Sequence, residues 1–152
     1  MDEIVLEWEG PFTGSELREK IIGVHPDHLF KDPKYGCLTW PGIYVFYRGK
    51  KIFYVGQGNK NFGHALRTRL KQHINNETVF SERLRKNGVE MDELSVIVAP
   101  FSRDYEDRLG MFYQIERAVM CPCTPPGHFK EPLKIINLGS IGPLPKTIEI
   151  NF

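Results

Sequence analysis

The chain has 152 residues, a formal net charge of +1 and a mean hydropathy of −0.34, enough for one domain that buries about two-thirds of the surface its unfolded form exposes. No apolar run approaches the ~18 residues of a membrane span, and the acidic start Met1-Asp2-Glu3 is no secretory signal, so a soluble, cytoplasmic protein with no membrane partner is expected. Three cysteines, Cys37, Cys121 and Cys123, are an odd set with two of them a single residue apart, which points to reduced thiols.

Residues 1–40 read as an N-terminal extension packed on the core. It opens with a strand at Ile4–Trp8, breaks at Gly10-Pro11, and continues as a helix over Ser15–Ile22 in which Ser15 is the expected cap and Glu16 and Glu19 suit the positive helix end. Gly23–Thr39 is an irregular connection, and His25 and His28, with no thiol or acidic partner nearby, read as surface residues. Ile43–Tyr47 and Ile52–Val55 are rich in β-branched and aromatic residues and bracket Arg48-Gly49-Lys50, which predicts a β-hairpin. A Gly- and Asn-rich loop leads into a helix over His64–Ile74, whose apolar stripe Leu66, Leu70 and Ile74 places Arg69 and His73 together beside it. A short helix is expected at Ser81–Lys86 and a third strand at Leu94–Ala99.

In the helix expected over Arg103–Met120, the stripe Leu109, Phe112, Tyr113, Val119 and Met120 is interrupted by Glu116, a carboxylate where the period asks for a hydrophobe. Burying it demands a basic partner such as Arg69, or a metal ion. Cys121–Pro132 is a proline-broken connection, and Cys121, Cys123 and His128 are spaced too tightly for a common zinc knuckle. Leu133–Ile136 leads to Asn137, locally a cap or turn residue, and the tail to Phe152 adds an edge strand.

Charge is segregated along the chain. Arg48 to Lys86 is strongly basic between acidic flanks, and Lys50, Lys51, Lys60, Arg67 and Lys71 are the candidates to face phosphates; the bland alternative is a solvated basic face.

Gly42-Ile43-Tyr44 followed by Tyr54-Val55-Gly56, then Arg69 and His73 four residues apart, then Glu116 and Asn137, resembles the GIY-YIG nuclease superfamily over roughly the last three-quarters of the chain. The departures are Val55 in the second triplet and a long Gln57–Thr68 segment before the arginine; Arg69 is preferred to Arg67 because His73 follows it by one helical turn. The resemblance implies an α/β fold, a small, mostly antiparallel sheet of three or slightly more strands flanked by helices, with residues 41–152 as the nuclease domain. It also implies hydrolysis of DNA phosphodiesters. Tyr44 is then the general base aided by His73 or Tyr54, Arg69 the phosphate clamp, Glu116 the ligand of one Mg²⁺ that Mn²⁺ could replace, and Asn137 a hydrogen-bonding support. A tyrosine with a pKa of ~10 needs nearby cations to act as a base. DNA is the implied partner, and recognition falls to the N-terminal extension, inserted loops, a homodimer or a protein partner. A catalytically silent nucleic-acid-binding module, or an unrelated enzyme or interaction domain on the same scaffold, are the competing readings.

Strand register tests whether the two tyrosines can share a site. A two-residue Gly49-Lys50 loop pairs Tyr44 with Val55 and sends Tyr54 to the opposite face, so an odd loop or a compensating bulge is expected.

Overall fold

The computed structural model describes residues 2–22, 28, 31–58, 65–100 and 133–150. In chain order these form β1 (Asp2–Thr13), α1 (Gly14–Ile22), a 3₁₀ turn (Gly36–Thr39), β2 (Gly42–Arg48), β3 (Lys51–Gly58), α2 (Ala65–Ile74), α3 (Val79–Lys86), a second 3₁₀ turn (Met91–Glu93), β4 (Ser95–Pro100), β5 (Leu133–Gly139) and β6 (Thr147–Ile150). The class is α/β, but the expected sheet of about three strands is a six-stranded mixed sheet in the order β3-β2-β4-β1-β5-β6, parallel only between β1 and β5. The first strand is no appendage. It lies between β4 and β5, because Leu6 and Trp8 alternate inward to meet Ile135 and complete the apolar face.

Two apolar layers sandwich the sheet. On one side α1, α2 and α3 cover Tyr44, Phe46, Val96 and Val98 with Leu17, Ile21, Leu66, Leu70, Ile74 and Leu84. The other side collects Ile43, Val45, Tyr47, Ile97 and Ala99. β2 and β4 are therefore buried on both faces, which is why they read as continuous rather than alternating apolar runs. In β1 a bulge between Glu9 and Phe12, with Gly10 at φ +117°, adds a residue and turns Phe12 to the helical side after Trp8 has faced the other.

The cap of α1 is Thr13 rather than Ser15. Glu16 N–H donates to Thr13 Oγ1 at 3.1 Å and Thr13 N–H donates to Glu16 Oε1 at 2.8 Å, a reciprocal box that satisfies two donors at once. No helix among the described residues is long and apolar enough to cross a membrane.

Candidate active site

The hairpin turn spans two residues, with Arg48 opposite Lys51, and the register then shifts between Phe46 and Tyr47 so that Phe53 is the extra residue. Phe46 consequently pairs with Tyr54 and Tyr44 with Gly56. The compensating bulge does occur, and the two tyrosine rings lie on one face with centroids 6.2 Å apart. Gly56 is what the Tyr44 ring rests on: a Cβ there would come within 2.4 Å of the ring's Cζ. The third residue of the second triplet is thus a glycine for steric room, independent of any chemistry.

α2 lies over this face and brings His73 into contact. The Tyr44 hydroxyl is 2.6 Å from His73 Nε2, and His73 Nδ1 is 2.7 Å from Thr78 Oγ1, with Tyr44 and His73 both fully buried. The hydroxyls at the start of α3 assign the tautomer. Ser81 Oγ donates its one hydrogen to the Thr78 carbonyl at 2.8 Å, so in the 3.0 Å contact between the two hydroxyls Thr78 must be the donor. Thr78 Oγ1 is then an acceptor, from Ser81 N–H at 3.2 Å and from His73 Nδ1–H. Nε2 is left bare and receives the Tyr44 O–H. Burial, with the positive charge of Arg69 adding to it, pushes the His73 pKa down to about 3, so the imidazole is neutral at physiological pH. Thr78 serves twice, as N-cap of α3 and as the group orienting His73. The Thr78-x-x-Ser81 spacing before Leu84 carried that cap signal in the sequence, yet the helix was expected to begin only at Ser81.

Around the polar chain the rings close up. Tyr54 stacks on Phe80 with centroids 4.6 Å apart, and His73 sits edge-on to Tyr44, Phe46, Tyr54 and Phe80. Tyr54 is only part-buried and forms, with Arg69, one wall of an open cleft of about 860 Å³ whose other charged lining groups are Lys51, Arg83 and Glu77. Arg69 is half-buried and donates to Gln72 Oε1 at 2.6 Å.

The remaining expected site residues fall elsewhere. Asn137, on β5, is buried beneath the opposite face, where its Oδ1 accepts from Trp8 Nε1 at 2.9 Å and its Nδ2 donates to the Pro145 carbonyl at 2.8 Å. Both ends of its amide are committed to that layer, because alternation along β5 puts residue 137 on the side of Ile135, away from Tyr44. Its expected support of the tyrosine site is corrected to a link between β1 and the turn before β6. Arg67 is corrected as well. It is 8% exposed, packed between α1 and α2, and donates to the Ile21 carbonyl at 3.1 Å near the C-terminus of α1, where a cation is favourable. Lys50 and Lys51 are exposed and Lys71 is half-buried. Lys60 and Glu116 lie outside the described residues, as do Cys121, Cys123 and His128. Among the described residues no three His, Cys, Asp or Glu side chains cluster as cation ligands, and Glu77 is the one carboxylate along the cleft, so the described residues do not by themselves build a metal site.

Comparison of the chain with protein-family models, with curated proteins and with solved structures finds no significant match in any of the three.

Proposed function

We propose that the protein is a GIY-YIG-type DNA endonuclease of the cytoplasm, with residues 41–152 as its nuclease domain and Mg²⁺, replaceable by Mn²⁺, as its cofactor held at Glu116. The observation that carries the reading is the contact of the buried Tyr44 and His73 with Tyr54, which together with Arg69 lines a cleft in which Lys51, Arg69 and Arg83 outnumber Glu77. In this reading Arg69 takes the scissile phosphate and offsets the charge that grows on it. Tyr44 is the general base. Its hydroxyl already donates to His73 Nε2, so as the phenol oxygen takes a proton from the attacking water, its own proton passes to the imidazole. Arg69 lowers the basicity of His73, and a phosphate bound to Arg69 offsets that charge, making His73 a better acceptor when substrate is present. The metal, when bound, would supply charge neutralisation on the phosphate and leaving oxygen.

The burial of Tyr44 and His73 favours a second reading, a nucleic-acid-binding module in which the pair is part of the core. Incubating the purified protein with supercoiled plasmid and Mg²⁺, with and without chelator, separates the two. Chelator-sensitive nicking that falls by about 10²- to 10⁴-fold in Tyr44→Phe supports the endonuclease. Binding without nicking under either divalent metal leaves the silent module.

A further inference from the structure

The cleft beside Tyr54 is larger and more apolar than one phosphate requires. Besides Arg69 it takes in residues of α3 as far as Arg83, and its apolar lining includes Phe53, Val79, Phe80 and Leu84 alongside the polar Thr78 and Asn87. Val79 is 66% exposed, an apolar side chain in water at the first position of α3. The cations along the cleft have no carboxylate partner: ion pairs among the described residues engage Arg18, Lys34, Arg48, Lys86 and Lys134, and none engages Lys51, Arg83 or Arg69, the last held only by the Gln72 side chain. Lys51 instead rests its ammonium over the Phe53 ring, 4.9 Å from the centroid. The exposed Arg48 lies over the same ring, its guanidinium carbon 5.4 Å from the centroid, so the ring takes a flat ligand when these two cations turn away from it towards phosphates.

We propose that Lys51, Phe53 and Arg83 form a subsite for an unpaired nucleotide of a single strand, with phosphates on Arg69 and Arg83 and a base on Phe53 beside Val79. A duplex presents phosphates and base edges and keeps its base faces stacked, so it gains nothing from an apolar floor between cations. A single strand offers both a phosphate and an open π-face to each nucleotide step, which suits alternating cations and aromatic surface. Glu77, also a lining group, disfavours a continuous polyanion across the whole cleft and leaves Arg69 and Arg83 as the favourable places for phosphates. The assignment rests on the reading of the protein as a nucleic-acid enzyme, and names the form of nucleic acid that this site holds.

Binding in chelator, measured by fluorescence anisotropy, tests it apart from cleavage. The ligands are a short labelled single strand, the same strand with an abasic position, and the corresponding blunt duplex. The single strand is expected to bind tightest. Arg83→Glu should weaken it about 10-fold or more and lower the salt slope by about 0.7, whereas Arg85→Glu, exposed on the same helix but outside the cleft, should change it by less than about 3-fold. Phe53→Leu should cost about 5- to 100-fold on the intact strand and little on the abasic one. If Phe53→Leu does not fold, the intact and abasic strands compared on the wild-type protein carry the same information. Equal losses from Arg83→Glu and Arg85→Glu, no penalty for the abasic strand, or preference for the duplex overturns the subsite. Plasmid nicking without this binding pattern defeats the subsite alone, and the pattern without nicking defeats the endonuclease reading alone.

Discussion

Acidification should destabilise this fold through His73 before any carboxylate takes part. The ordinary value of 6.5 applies to His73 in the unfolded chain, while in the folded chain burial and Arg69 hold it at about 3. Between those values the unfolded state binds a proton that the native state refuses, so stability rises with pH, is complete above 6.5, and is lost progressively as pH falls towards 3. Lowering the pH from about 7 to about 5 therefore costs about 2 kcal/mol, from roughly 1.36 kcal/mol per unit below the unfolded value. Glu16, where burial raises the pKa but the combined bonds from Lys34, Tyr35 and Thr13 N–H outweigh it, and Asp32, held down by the Tyr35 and Lys34 N–H groups, lie below their ordinary values of 4.5 and 3.8 and give stability that is present above those values and lost only under more acid conditions. Urea unfolding of the wild type and of His73→Gln at the two pH values is the assay. The wild type should lose about 2 kcal/mol and the variant, with nothing to titrate there, much less. A wild type equally stable at both pH values, a variant with the same loss, or an NMR titration of His73 near its ordinary value would refute the account of a buried, neutral imidazole.

Three further outcomes follow from the same packing. Thr78→Val removes the cap of α3 and the acceptor for His73 Nδ1–H together, and should cost about 2–4 kcal/mol in urea unfolding, against less than about 1 for Thr78→Ser; the Nδ1–H resonance of His73 should persist only in the serine variant. Gly56→Ala places a Cβ within 2.4 Å of Tyr44 Cζ, so the ring or the strand must shift, and a loss of about 1–3 kcal/mol with a disturbed Tyr44–His73 bond is expected by calorimetry and NMR. Asn137→Leu leaves the buried Trp8 Nε1 without its acceptor and removes the bond to the Pro145 carbonyl, and should lower stability by about 1–3 kcal/mol with altered Trp fluorescence in urea unfolding.

Much of the secondary structure was legible from residue pattern alone, because the signals are local. The β-branched hairpin strands, the Leu66, Leu70 and Ile74 stripe, and the strand before Pro100 recur in the fold within a few residues of their expected limits. The pairing of Arg69 with His73 on one helix face followed from the helical period, whereas their approach to the two tyrosines was implied only by the resemblance to the GIY-YIG superfamily. Even the need for a bulge could be reasoned from the parity of the turn, although only the folded hairpin locates it at Phe53. What sequence could not decide was which distant segments meet. That β1 enters the middle of the sheet depends on Leu6 and Trp8 finding Ile135, contacts made across more than a hundred residues, and this insertion enlarges the sheet to six strands. The same alternation that buries Ile135 carries Asn137 to the face opposite the tyrosines, so its order in the chain was preserved while its side chain was committed elsewhere. Arg67 and Arg69 differ by two positions on one helix, a rotation of about 200°, and that rotation alone separates an arginine buried against α1 from one that lines the cleft. Composition treats the two as equal basic residues. Only the tertiary packing, by choosing which helical face meets α1, sets their different solvation and hence their different roles.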